Sequence, residues 1–169
     1  DRPNGACQRT RRDRTAVCGA APWKAFLDGR TPPDAWHTGR MHDLIDTHSH
    51  LDVTEFDGDR KTVIERARAA GVARQIIPAI SRRGFENLRS LCNDVDGLYP
   101  AYGMHPAFLD DHRDGDLEAL ADWLQGEAAV ALGECGLDYY VPGLDLDRQR
   151  RIFNAQLELA RDLDLPVIV

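Results

Sequence analysis

No apolar run in this sequence approaches the roughly 18–20 residues needed to span a bilayer, so the chain offers no transmembrane helix. The four cysteines, at positions 7, 18, 92 and 135, lack any C-x-x-C spacing, and reduced thiols in a cytoplasmic protein are the expectation. Residues 1–40 contain no Glu: eight Lys and Arg against four Asp leave them at +4, while the rest of the chain stands at −11 within a formal total of −7. Those forty residues also lack a sustained period of 2 or 3.6, with only a scatter of apolar positions such as Trp23, Phe26, Leu27 and Trp36. Without a continuous apolar h-region behind its basic residues, the segment does not read as a secretory signal. An Arg-rich, acid-poor stretch is compatible with an organelle transit peptide, but the plainer reading is preferred: Met41 as the natural start, and residues 1–40 as an irregular basic leader, an upstream extension outside the fold. Residues 41–169 then form the folded unit, and nothing in the pattern points to a membrane or an obligate protein partner.

What is present after Met41 is regular alternation. A short buried strand at Leu44-Ile45 precedes a helix over 59–70, where Val63, Ile64, Ala67 and Ala70 share a face and Gly71 supplies the stop. A strand near 74–80 follows, then Ser81 as an N-cap and Phe85, Leu88, Cys92 and Val95 at helical spacing. A third strand covers 98–102. Asp116 opens a helix carrying Leu117, Leu120 and Leu124, closed by Gly126, and a fourth strand spans 128–132. A long helix over 147–163 presents Phe153, Leu157, Ala160 and Leu163, and Pro166-Val167-Ile168-Val169 begins a fifth strand. Strands and helices alternating in this way are the mark of parallel βα units. A doubly wound sheet and a (β/α)₈ barrel both fit.

The chemistry chooses between them, because the polar candidates all follow strands. His48 and His50 close the run Leu44-Ile45-Asp46-Thr47-His48-Ser49-His50; residues two apart on an extended strand point to one face, so both imidazoles can meet one ion. A surface histidine pair is the plainer reading of that motif alone. His105, in Gly103-Met104-His105-Pro106, follows the third strand and is a turn histidine, a metal ligand or a substrate contact. Glu134, between the glycines of Gly133-Glu134-Cys135-Gly136-Leu137-Asp138, is an N-cap, an ion-pair carboxylate or a group able to bridge two cations. Asp52 and Asp138 are candidate partners for the imidazoles. His37, His42 and His112 are assigned no role. A barrel gathers such strand-end groups around one axis at its C-terminal face and takes about 250 residues. The expected fold is therefore a truncated TIM-type (β/α)₈ barrel, with about four βα units and the start of a fifth strand.

The order of the motifs carries more than any one of them. His-Ser-His-Leu-Asp, Tyr-Gly-Met-His-Pro, Gly-Glu-Cys-Gly-Leu-Asp-Tyr, then Gln149, Phe153, Gln156, Leu157, Leu159 and Ala160 leading to Leu165-Pro166-Val167 closely resemble the TatD family of metal-dependent hydrolases, mostly deoxyribonucleases. The resemblance covers about Met41 to Val169. It implies His48, His50 and Glu134 as metal ligands, Glu134 as the catalytic carboxylate, and His105 as a contact near the bound phosphate of the substrate. It further implies two divalent ions, Mg, Mn or Zn, per intact site, and cleavage of DNA at strand ends, most readily single-stranded, by metal-activated water. The family also draws two histidines and an aspartate from later strands, and the sequence stops just short of the first. The chain on its own is thus expected to be silent and to hold metal weakly. A net charge of −11 lacks the basic patch of a duplex-gripping protein. Deacylation of D-aminoacyl-tRNA, other amidohydrolase chemistry, and an inactive half-barrel are the alternatives.

Overall fold

The computed structural model describes residues 44–169; the expected leader over 1–40 lies outside them. Four strands, β1 (Leu44–Asp46), β2 (Val72–Pro78), β3 (Leu98–Tyr102) and β4 (Ala131–Leu132), form one sheet in sequential order, every neighbouring pair parallel. Each strand is followed by a helix: α1 (Arg60–Ala69), α2 (Phe85–Asp94), α3 (Asp116–Gly126) and α4 (Leu146–Asp162). Sequential parallel order with one helix per crossover is half of a TIM-type barrel. The expected fifth strand begins as a bridge between Leu132 and Val167, flanked by bonds from Leu132 N to the Pro166 carbonyl (2.8 Å) and from Ile168 N to the Leu132 carbonyl (2.9 Å).

Side chains alternate across the sheet. One face, with Ile77, Leu98, Tyr102 and Leu132, joins Ile64, Phe85, Leu88, Leu120, Leu124 and Ala160 from the helices in the larger core. The other gathers Ile76, Ala101, Val130 and Ala131 with Tyr99 and Ile168, a smaller cluster on the side a barrel would enclose. Phe85, Tyr102 and Trp123 pack as a ring trio with centroids 5.0–5.6 Å apart, while the Arg82 guanidinium lies 4.9 Å from the Trp123 ring. Fully burying a side chain such as Phe85 is worth about 1.5–3 kcal/mol.

Several expectations shift. The second strand starts two residues earlier than periodicity indicated, and the fourth shrinks to two residues although Val130 N still bonds the Pro100 carbonyl. Ser81 precedes a 3₁₀ turn (Arg82–Gly84) and its side chain caps nothing. Ala70 is exposed, and Leu157 is 37% exposed, while Phe153, Ala160 and Leu163 pack on the core as expected and are joined on the inward face of α4 by Gln149 and Gln156. Two further 3₁₀ turns, Thr54–Phe56 and Pro106–Asp111, are too short to leave a sequence period.

Candidate metal centre

The four site candidates sit just beyond the C-terminal ends of β1, β3 and β4. Backbone bonds continue the sheet past the formal strands and place them there: Ser49 N donates to the Ile76 carbonyl (3.0 Å), His105 N to Ile80 (2.9 Å) and Gly133 N to Tyr102 (2.9 Å). The His48 amide also donates to Asp46 Oδ1 at 3.1 Å, fixing the turn out of β1.

Two glycines let the strand ends close on one another. A Cβ on Gly103 would stand 2.6 Å from the Cα and C of Gly133 and 2.8 Å from the Glu134 carbonyl oxygen. Gly133 itself has φ +149°, and a Cβ there would meet the Ile168 carbonyl oxygen at 2.6 Å. No other residue fits either position without moving backbone.

The result is a tight triangle of donor atoms. His48 Nε2 and His50 Nε2 lie 3.2 Å apart; Glu134 Oε2 stands 2.9 Å from the first and 3.4 Å from the second. Ligand bonds of about 2.0–2.1 Å meeting at tetrahedral to right angles span donor separations of about 2.9–3.4 Å, the observed range. Glu134 Oε2 is buried yet makes no hydrogen bond among the described residues, although both imidazoles are beside it. A buried carboxylate oxygen without a hydrogen bond needs another partner, and a cation between the three donor atoms would supply one. The residues therefore fit a divalent cation, and theirs is the one set of three such donors found among the described residues.

His105 stands apart in kind. Its Nδ1 accepts from the Ala107 amide at 3.1 Å, so the neutral ring carries its proton on Nε2, which faces Glu134 Oε1 at 3.1 Å. Burial lowers its pKa from the usual 6.5, against the opposing pull of the Glu134 carboxylate. In this tautomer Nε2 has no lone pair for a metal and acts as a donor. The Phe108 ring meets it edge-on, 5.2 Å between centroids.

Neither aspartate proposed as an imidazole partner hydrogen-bonds one, although the Asp52 carboxylate interacts electrostatically with His50 and the Asp138 carboxylate with His105. Asp138 Oδ1 accepts from the amides of Tyr140 (2.8 Å) and Val141 (2.9 Å), closing a turn. Asp52 Oδ1 is buried with no hydrogen-bond partner, and burial raises its pKa; His50 Nδ1 is likewise buried and unpaired. Sequence reasoning gave no role to three residues around the site, although it named two of them, Gln149 and Gln156, in the motif. His112, assigned nothing, is 2% exposed and its Nε2 bonds the His105 carbonyl at 2.9 Å. Gln149 and Gln156, at 1% and 0% exposure, reach the loops after β3 and β4. Their seven-residue spacing, in line with the apolar row of the same helix, was the available signal.

Comparison with known proteins agrees with this geometry. Residues 45–169 match the family model described as TatD related DNase. The chain is 40% identical over 128 residues to the uncharacterized metal-dependent hydrolase YjjV of Escherichia coli K12, and 34% identical over 127 residues to the 3'-5' ssDNA/RNA exonuclease TatD of Erwinia tasmaniensis; each alignment covers 75% of this chain and 49% of the relative. The crystal structure of the TatD homologue YjjV from E. coli K12 superposes with a TM-score of 0.71 at 38% identity, covering 74% of this chain and 49% of that one. The chain thus spans about half the length of the relatives it matches. With four parallel βα units, strand-end histidines and a carboxylate in one triangle, and a family match over nearly all the described residues, the chain belongs to the TatD-related family.

Proposed function

We propose that this chain carries the His48–His50–Glu134 part of a divalent-metal centre that hydrolyses phosphodiester bonds, with single-stranded DNA ends as substrate. The observation that carries the reading is the donor triangle with His105 Nε2–H on the opposite oxygen of the same carboxylate. When bound, a divalent cation polarises a phosphoryl oxygen and acidifies water from a pKa of 15.7 towards about 7. Mixed imidazole and carboxylate donors suit Zn or Mn, and carboxylate with water suits Mg. Two ions per site need further donors, which the two histidines and aspartate of the family's later strands would supply.

The chain's own groups divide the remaining work. Glu134 presents Oε2 to the imidazoles and keeps Oε1 for His105, so one carboxylate joins the ligand set to the substrate side and serves as the catalytic group. His105 would turn its Nε2–H from Glu134 Oε1 to an anionic phosphoryl oxygen as substrate enters. The net −11 beyond residue 40 argues for a strand end held at one site rather than a duplex gripped along many phosphates. Names borne by relatives, such as 3'-5' ssDNA/RNA exonuclease, support the same substrate class. Unpaired Cys92 and Cys135 suit a reducing, cytoplasmic setting.

The test is shortening of end-labelled single-stranded DNA by the natural protein that carries this sequence, after chelation and on adding back Mg or Mn. Glu134→Ala should abolish the metal-dependent product and His105→Ala should reduce it less, because the first removes a ligand and the second a substrate contact. The 169-residue chain by itself should stay silent while still binding one ion weakly. No metal-dependent shortening by the natural protein, with turnover of D-aminoacyl-tRNA or a cyclic amide in its place, would refute the nuclease assignment.

A further inference from the structure

We infer that Gln149 and Gln156 are positioning residues of the metal centre, working as a two-pronged clamp that sets Glu134 and His105 against each other. The inference rests on the site reading above. Both glutamines are on α4, seven residues and two turns apart, so they share one helix face. Each is essentially sealed from solvent. Gln156 Oε1 accepts from Met104 N at 2.8 Å, while its Nε2 donates to the Met104 carbonyl at 3.3 Å, as one strand would pair with another. Gln149 Oε1 accepts from Asp138 N at 2.9 Å, and its Nε2 donates to the carbonyls of Asp138 (3.2 Å) and Pro106 (3.3 Å).

The targets are what make this more than a satisfied core. Met104 and Pro106 flank His105 on either side, and Asp138 follows Glu134 by four residues. Gln149 bonds both loops at once, so it sets the spacing between the histidine that donates and the carboxylate that receives. His105 N and its carbonyl are held by Ile80 and His112, which leaves its backbone tied from residue 104 to 106. That fixed backbone brings the Ala107 amide onto His105 Nδ1 and so selects the Nε2–H tautomer. Two buried amides are costly to place in a core unless every polar atom is met, and here every partner but one, the Ile152 carbonyl one turn back on α4 (3.4 Å from Gln156 Nε2), is at the site's supports.

Gln149→Met and Gln156→Met keep the length and remove the hydrogen bonds; Gln156→Glu keeps the acceptor for Met104 N should the methionine variant not fold. The 169-residue chain is titrated with Co²⁺, followed by its visible absorption, and the His105 tautomer is read at pH 8 without metal from long-range ¹H–¹⁵N correlations of the ring. Wild type should show the Nε2–H pattern alone. Gln149→Met should mix the two tautomers and weaken Co²⁺ binding about 10-fold or more, the usual range for lost outer supports of a metal site. Gln156→Met should mix the tautomers, and its effect on Co²⁺ should vanish in a His105→Ala background, whereas a merely structural loss would persist there. Folded variants that keep the wild-type tautomer and bind Co²⁺ within twofold of wild type would overturn the clamp. If wild type binds Co²⁺ no better than His48→Ala, the metal reading fails instead, and the metal-free tautomer pattern still decides the clamp.

Discussion

Gly103→Ala is the sharpest perturbation available, because it adds a single methyl where the structure has no room. The new Cβ would stand 2.6 Å from two backbone atoms of Gly133, whereas ordinary contacts begin at 3.4 Å, so the β3 and β4 ends must part by about 0.8 Å. The atoms in the way are main chain and cannot rotate aside. Overpacking of this kind costs about 1–3 kcal/mol. At 2–4 °C per kcal/mol for a chain of this size, the melting midpoint should fall by about 2–12 °C. The displaced peptide is that of Glu134, so the Oε2 corner of the donor triangle moves with it, and Co²⁺ affinity should drop by about 10–100-fold. Circular dichroism melting and a Co²⁺ titration on the same sample measure both. A variant that melts within a degree of wild type and binds Co²⁺ equally well would show that the two strand ends are not in the contact described.

Three further outcomes follow from groups outside the triangle. His112 is buried and its pKa is lowered from 6.5 by burial, against the opposing bond to the His105 carbonyl and the nearby Asp116 and Asp111, with Arg148 also lowering it. The native state therefore holds fewer protons than the unfolded one, and stability falls as pH drops through 6.5 towards the lowered native value, then levels. His112→Gln should flatten the melting profile between pH 8 and pH 5 relative to wild type; parallel profiles would refute this. Burial pushes the thiols of Cys92 and Cys135 up to about 12, so in a Cys7→Ser, Cys18→Ser background neither should alkylate at pH 8 until the chain is unfolded, and prompt labelling by mass spectrometry would contradict it. Trp123→Leu should lower the melting midpoint by removing the ring that packs Phe85 and Tyr102 and carries Arg82, with Co²⁺ binding unchanged; a coupled loss of metal affinity would tie that cluster to the site.

The fold was largely legible because parallel βα units write two periods in alternation, and the apolar rows of α2 and α3 landed on the observed core. Leu98–Tyr102 came out with its bounds intact. The fourth strand was overread because Ala128 to Val130 are apolar in sequence, while only Ala131 and Leu132 complete the ladder. At the site, His48 and His50 were readable from spacing, and Glu134 and His105 from their places after strands. Their convergence was not, since it depends on Gly103 and Gly133 touching across thirty residues of chain. Gln149 and Gln156 were visible as motif residues, but their role was not: an amide on a charged helix looks like surface, and only the packed α4 turns it inward. Leu157 was the converse error, an apolar side chain that the same rotation of α4 leaves outside.

The hydrogen bonds on Met104 and Pro106 also carry a message about time. They join residues 52 and 43 apart in the chain, whereas the histidine pair is separated by two. Closing such distances must be paid in chain entropy before any bond returns it, so α4 docks after the local hairpins of strand and helix have formed. Two of the three donors exist as soon as β1 meets β2; Glu134 comes in with β4, and the glutamines that tie the loops beside it and His105 come only with α4. In a refolding experiment the cobalt spectrum should lag the helical signal, which makes the centre a clock that reads the final docking step rather than the collapse before it.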